Sequence, residues 1–378
     1  MIDIWLFFKI FFQIYEIFFI FHENFIFIIA KRPFSVYHYL KHKELDMKKK
    51  PTYTEISKLT GISVSTISRV LNSNINVSKE KEEKIITAMQ KLGYKHPLLQ
   101  KKSMEKSLII INLPSLNNPF YSKITEGIKS AATRNNYQVM IHEDHINKTT
   151  IDSILYLIKS TKAIGMITLN HIDEEELLRI NDAIPIVQCC ECLPSLDIPF
   201  VSIDDITASI RAVNYLISLG NKRIAMINGP IRYKYSKDRL KGYQKAITSA
   251  GFEVENKLIV QLPEINFDMA VSAVMQLLSS PNPPDAFFTV SDVYAAAVIR
   301  AAINSNLSVP KDVSVIGFDN VEISSMCTPN ITTVSQPRFQ LGLLSCDMLD
   351  KILCGEGNSV QSIFLETELI IRESTQVK

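Results

Sequence analysis

Two hydrophobic rhythms divide this chain. Between residues 52 and 93, apolar side chains recur at the three- and four-residue spacing of short helices. Thr52 with Glu55 forms a capping box, so a first helix is expected to begin there. Ile56 and Leu59 give that helix an apolar face, and Gly61 closes it where a positive φ is usually needed. Ser63 is placed to cap a second helix over 64–72, with Val64, Ile67, Val70 and Leu71 inward. A third helix follows Val77-Ser78, turns Ile85, Ile86, Met89 and Leu92 inward, and stops at Gly93. Together the three can bury a small core.

From residue 108 the rhythm changes. Apolar runs at 108–113, 139–141, 164–169, 184–187, 224–227, 286–290 and 313–318 read as buried strands. Amphipathic helical patterns separate them, among them 121–132, 206–219, 239–250, 269–278 and 293–303. Such alternation predicts an α/β fold with parallel sheets covered on both faces. Roughly ten strands are too many for one compact sheet of this length, so two doubly wound lobes are expected. A ligand cleft then lies at the carboxyl ends of the strands. The reading divides the chain into an extension (1–46), a helical head (47–93), a basic linker (94–107) and a bilobal core (108–378). Its chain crossings between lobes are placed near 205, 335 and 362.

The extension breaks both rhythms. Ten of the 19 phenylalanines and the only tryptophan, Trp5, lie in it. Lys9, Glu16, His22, Glu23 and Asn24 interrupt its apolar run, which argues against a membrane helix. No basic segment precedes that run and no small-residue cleavage site follows it, as a signal peptide requires. Phe, Ile, Lys, Asn and Tyr are what AT-rich DNA encodes, and Met47 opens M-K-K-K-P-T just ahead of the first helix. The extension is therefore read as upstream sequence ahead of a start at Met47. A membrane anchor is the alternative.

Charge sharpens the division. Residues 47–107 carry 13 Lys/Arg against five Asp/Glu, whereas 108–378 carry 23 against 29. A basic head on an acidic body is what a nucleic-acid-binding unit attached to a sensing body would show. On the second helix the outward residues are Ser65, Thr66, Ser68, Arg69 and Asn72. Short hydroxyls reach phosphates and an arginine pairs bidentately with guanine, so this face suits the DNA major groove. A polar surface helix is the plainer reading of the same face.

The six cysteines have no disulfide-framework spacing, which fits a reducing cytosol. Cys189-Cys190-Glu191-Cys192 is no zinc site by spacing, since neighbours on a strand point to opposite faces and no histidine is near; buried thiols at a strand end are expected. There is no Walker loop, no G-x-G-x-x-G after a strand, no G-x-S-x-G elbow and no metal-spaced histidine pair. Neither catalysis, a metal nor a cofactor is indicated.

These motifs resemble one family. T-x-x-E-I-S-K-L-T-G-I-S-V-S-T-I-S-R-V-L-N from Thr52, G-N-K-R-I-A from Gly220, S-D-V-Y-A-A-A from Ser291, V-P-K-D-V-S-V-I-G-F-D-N from Val309 and I-T-T-V-S-Q-P from Ile331 are similar to the lactose-repressor (LacI/GalR) family. The resemblance runs in order from about Pro51 to the C-terminus. N-P-F-Y-S, A-V-N-Y-L, R-L-K-G-Y and E-L-I-I-R-E-S-T look most like its nucleoside-responsive branch. It implies a cytoplasmic, homodimeric repressor that binds double-stranded operator DNA. It also implies a periplasmic-binding-protein-like core that takes a small effector, a nucleoside such as cytidine or a sugar.

Carried over by position, Val64, Ser65 and Arg69 are base-facing, and Ser63, Thr66, Ser68, Asn72 and Ser78 match phosphate contacts. Phe120, Tyr121, Arg239, Asp292 and Asp319 match effector contacts. Each has a structural alternative: the aromatic pair as core, Asp292 as a helix cap, Asp319 as a turn residue. The family's linker carries a hinge helix with a leucine that wedges into the minor groove. Here that position is Ser103, next to Met104, and His96 stands where proline is common, so a weak hinge is expected. The competing reading is a solute-binding protein anchored by residues 1–30. Salt-sensitive binding to duplex DNA separates the two.

Overall fold

The computed structural model describes residues 53–71, 79–92 and 106–378. The extension 1–46, the expected hinge and the DNA-facing candidates Asn72 and Ser78 lie outside the described residues. The chain divides between Glu105 and Lys106 into two units.

Among its described residues the first unit holds three helices, α1 (Tyr53–Thr60), α2 (Val64–Leu71) and α3 (Lys79–Lys91). Gly61 ends α1 at φ 69°, its N–H donating to the Ser57 carbonyl at 2.9 Å. Ser63 caps α2, its Oγ accepting the Thr66 N–H at 3.3 Å. Ile56, Ile67, Ile85, Ala88 and Met89 form the core, edged by Tyr53, Ile62 and Leu92.

Two inward placements are corrected here. Leu59 is 57% exposed and Val64 is 41% exposed. The buried stripe of α1 runs through Tyr53, Ile56 and half-buried Thr60. At about 100° of rotation per residue, Leu59 falls on the far side of Ile56 from that stripe. Val64 opens α2, where Cβ leans back toward the helix start and so beyond the core that Ile67 enters one turn later.

The second unit contains two six-stranded sheets. The first lobe holds β1 (Ser107–Leu113), α4 (Phe120–Arg134), β2 (Tyr137–Glu143), α5 (Ile151–Thr161), β3 (Gly165–Thr168), α6 (Glu174–Ala183), β4 (Ile186–Cys189) and β5 (Phe200–Ile203). The second continues with α7 (Asp205–Ser218), β6 (Ile224–Asn228), α8 (Lys234–Ser249), β7 (Ile259–Gln261), α9 (Phe267–Leu278), β8 (Ala286–Thr289), α10 (Asp292–Asn304), β9 (Ser314–Asp319), α11 (Ile323–Met326) and β10 (Thr332–Ser335). The chain then returns through α12 (Arg338–Leu353) to β11 (Ile363–Leu365) and ends in β12 (Glu368–Ile370). Strand orders are β2-β1-β3-β4-β5-β11 and β7-β6-β8-β9-β10-β12, one plan used twice.

Two-residue alternation in β1 explains how both faces are filled. Ile109, Ile111 and Leu113 join the cluster that includes α4 and α12, while Ile110 joins Ile151, Ile154, Ile158 and Ile180 of α5 and α6. A run apolar at every position is therefore a strand covered on both sides.

The expectation of two wholly parallel sheets holds for the first lobe. In the second, β12 pairs antiparallel with β10. The cause is the last crossing. Only Glu366 and Thr367 separate β11 from β12, too short for a return helix. The chain leaves the first sheet at its carboxyl edge and runs straight into the facing sheet, opposite to that sheet's own strands.

Candidate ligand cleft and nucleic-acid interface

In each lobe the strand order turns about the first strand, with β1 between β2 and β3, and β6 between β7 and β8. Connections leaving the carboxyl ends of such strands go to opposite faces and leave a crevice between them. Residues from both crevices line one inner cavity of about 30 Å³. A wider cavity of about 310 Å³ shares Asn118, Tyr121, Tyr235 and Ile265 with it and continues toward solvent.

Arg239 on α8 is the centre of the inner cavity, only 4% exposed. Its Nε donates to Asp205 Oδ1 at 2.8 Å, and its Nη1 donates to the Val290 carbonyl at 2.7 Å and to Asp319 Oδ1 at 3.5 Å. Its guanidinium lies 3.5 Å from the centroid of the Phe318 ring and 5.0 Å from that of Tyr235. Nη2 makes no hydrogen bond among the described residues, so its donors remain for a ligand. Asp205 also accepts Lys234 Nζ at 2.9 Å. Burial alone would raise the Asp205 carboxyl, but Arg239 and Lys234 overrule it and hold the group below its ordinary value. Asp319 shifts the other way. Its burial outweighs Arg239 and Gln336 and raises it.

Asp319 ends β9 at φ 101°, a left-handed conformation that an aspartate holds only under constraint. Its Oδ1 takes the Gln336 amide at 2.7 Å. Cys190, at φ 68°, is a second strained residue at the cavity, just past β4. That φ turns its Sγ to within 3.8 Å of Cys189 Sγ, so the expected opposite facing of these neighbours is corrected.

Phe120 and Tyr121 open α4, both line the inner cavity, and they meet edge to face at 5.3 Å between centroids. The sequence thus brings Phe120, Tyr121, Arg239 and Asp319 together.

Asp292 is not among them. Its two carboxylate oxygens accept Thr333 Oγ1 at 2.6 Å and the Val321 N–H at 2.7 Å, fastening α10 to strand β10 and to the loop after β9. Burial, and then the neighbouring Asp319, push it well above the ordinary carboxylate range. The expectation of a ligand contact is corrected: the preceding Ser291 lines the cavity, while Asp292 faces the lobe's interior.

Two acids were missed. Of Asp204-Asp205, the first caps α7 by accepting the Thr207 N–H at 3.0 Å and the second turns into the cavity. Glu191, just past β4, accepts the N–H groups of Lys234 at 2.7 Å and Tyr235 at 3.2 Å. A carboxylate of the first lobe thus seals the start of α8 in the second. Burial, opposed by those two hydrogen bonds, pushes Glu191 up to about 7. Its position after a predicted strand is legible in the sequence, but nothing local marks it as the acceptor for a helix 43 residues on.

On α2, Ser65 is exposed and Thr66 and Ser68 are partly so. Ser63 Oγ lies 3.1 Å from Ser65 Oγ and 2.8 Å from Thr66 Oγ1, a local hydroxyl cluster at the helix start. Exposed Val64 stands beside it. The Arg69 backbone belongs to α2, and its side chain lies outside the described positions.

Two family models match the chain. That for bacterial regulatory proteins of the lacI family covers residues 52–97, and that for a periplasmic binding protein-like domain covers 213–375. The HTH-type transcriptional repressor CytR of Escherichia coli K12 is 34% identical over 339 residues, 86% of this chain and 96% of that protein. Among solved structures, a transcriptional regulator CelR–cellobiose complex is 27% identical with a TM-score of 0.65, over 86% of this chain and 99% of that one. The lac repressor dimer bound to operator and the anti-inducer ONPF is 25% identical with a TM-score of 0.67, over 87% and 100%.

Proposed function

The chain belongs to the LacI family of bacterial regulatory proteins, and from that premise we propose that a nucleoside such as cytidine is the effector that controls its grip on an operator. It is a transcriptional repressor with a helix-turn-helix DNA-binding head and a ligand-binding domain.

One observation carries the effector reading: Arg239, with unused donors, stands between Asp205 and Asp319 while Phe120 and Tyr121 flank the same cavity. Carboxylates accept from ribose hydroxyls, the guanidinium donates to them, and the aromatic pair offers ring faces to a sugar or base. Ser291 takes the place first given to Asp292. In this form the inner cavity is too small for a nucleoside, so binding moves side chains or lobes. A ligand that favours one lobe arrangement shifts the head's affinity for DNA by its differential affinity for the two arrangements.

On the DNA side, Val64, Ser65 and Arg69 read base edges, while Ser63, Thr66, Ser68, Asn72 and Ser78 position the head on phosphates. The chain acts as a homodimer in the cytoplasm. Among the described residues no helix is long and apolar enough to cross a membrane.

A thermal-shift screen tests the effector. Cytidine, other nucleosides, purine bases and common sugars are offered at millimolar concentration. A ligand at about 100 times its dissociation constant stabilises the fold by about 2.7 kcal/mol. A response to a nucleoside supports the reading, and a response to sugars alone sinks it.

A further inference from the structure

The wider cavity at the mouth of the cleft has a chemistry unlike the inner one. The inner cavity gathers the carboxylates Glu191, Asp205 and Asp319 around Arg239. At the mouth the loop after β6 presents Arg232, exposed, with its guanidinium 5.0 Å from the centroid of Tyr233. One of its hydrogen-bond partners is an imidazole of the other lobe: Arg232 Nη2 lies 3.3 Å from His145 Nε2; the other is the Tyr233 side chain. His145 Nδ1 in turn is 3.1 Å from Asn170 Oδ1, an acceptor, so Nδ1 carries the proton and Nε2 accepts from the arginine. Arg232 forms no ion pair with a carboxylate among the described residues, and neither does exposed Lys237, five residues on. Both cations act on His171, whose protonation is disfavoured first by burial and further by Lys237 and Arg232, against the pull of Asp173.

A guanidinium held in place by an aromatic side chain and an imidazole, but paired with no carboxylate among the described residues, is a ready partner for an anion. Glu264 also lines the mouth, and its Oε1 accepts the Asn266 amide. At about 310 Å³ the cavity has room for a substituent projecting from a ligand in the inner one.

We propose that the mouth of the cleft is an anion subsite, in which Arg232 takes a phosphate or carboxylate borne by an effector whose hydroxyls meet Arg239. This deepens the effector reading above and rests on it. The full chain then distinguishes a charged effector from its neutral parent.

The test is calorimetric titration of the full-length chain and its Arg232→Gln variant with cytidine, cytidine 5′-monophosphate and a 5′-carboxylate analogue. Wild type is expected to bind the monophosphate at least about tenfold more tightly than cytidine, as one charge-assisted contact provides. In the variant that ratio falls to about twofold or less, and in wild type it shrinks as salt is raised. An equal gain from the carboxylate assigns the subsite to anions in general, and a gain from the monophosphate alone assigns it to phosphate. If cytidine binds and neither anion binds more tightly, the subsite is overturned while the nucleoside reading stands. A ratio that survives Arg232→Gln overturns it as well. If no compound binds, the nucleoside reading falls and the subsite with it. The unliganded melting temperature of the variant reports that it is folded.

Discussion

Arg239 and Asp205 form a buried ion pair at 2.8 Å, with both side chains at most 4% exposed. Asp205 begins α7, where the chain first crosses between lobes, and Arg239 lies in α8, so the pair joins the crossing to the cavity wall. Arg239→Ala leaves Asp319 buried without its cation and Asp205 with Lys234 alone. Breaking one side of such a pair costs about 3–5 kcal/mol. The variant is expected to show that loss in urea denaturation and to give no thermal shift with any ligand that stabilises the wild type. A variant of near-normal stability and undiminished response would remove Arg239 from the site.

Glu191 makes stability depend on pH in a definite direction. Its ordinary value of 4.5 is raised to about 7 by burial, so the folded chain holds this proton more tightly than the unfolded one. The contribution is fully present below pH 4.5 and is lost as pH rises through 7. The shift corresponds to at most about 3 kcal/mol. Glu191→Gln keeps a carbonyl to accept the Lys234 and Tyr235 N–H groups but cannot titrate. Urea midpoints at pH 5 and pH 8 should therefore differ less in the variant than in the wild type. Equal slopes would show that Glu191 does not titrate in this window.

Gly342 on α12 and Gly127 on α4 let two helix backbones touch. A Cβ on Gly342 would meet the Ile124 carbonyl, and one on Gly127 the Phe339 carbonyl. Backbone cannot step aside as a flexible side chain can. Gly342→Ala is expected to cost about 3 kcal/mol by forcing the helices apart. Thermal melting checks it, and a loss below about 0.5 kcal/mol would mean that the crossing adapts.

Arg69→Ala should weaken operator binding by about 1–3 kcal/mol and relax preference at a single base pair. Alanine at Ser63 should instead weaken all sequences alike and cost the head about 1 kcal/mol through the lost cap. Binding selections with randomised operators distinguish the two. A variant at position 69 with unchanged base preference would place the reader elsewhere on α2.

Local rhythm in the sequence was enough for the three-helix head, the turn at Gly61, the cap at Ser63 and the strands buried on both faces. Each is decided by a few consecutive residues: a period, a left-handed φ, one hydroxyl near one N–H. Motif likeness added the family and pointed to Phe120, Tyr121, Arg239 and Asp319, which line one cavity. Tertiary structure decided what lies between neighbours. Ser291 and Asp292 are adjacent, as are Asp204 and Asp205, and the packing of the lobes alone selects which of each pair meets the cavity. Glu191 gains its role from α8, more than 40 positions away in sequence, and the antiparallel course of β12 follows from two sheets facing each other across a two-residue link. Periodicity reports which face of an element is buried. It carries no record of which distant strand end that face will meet.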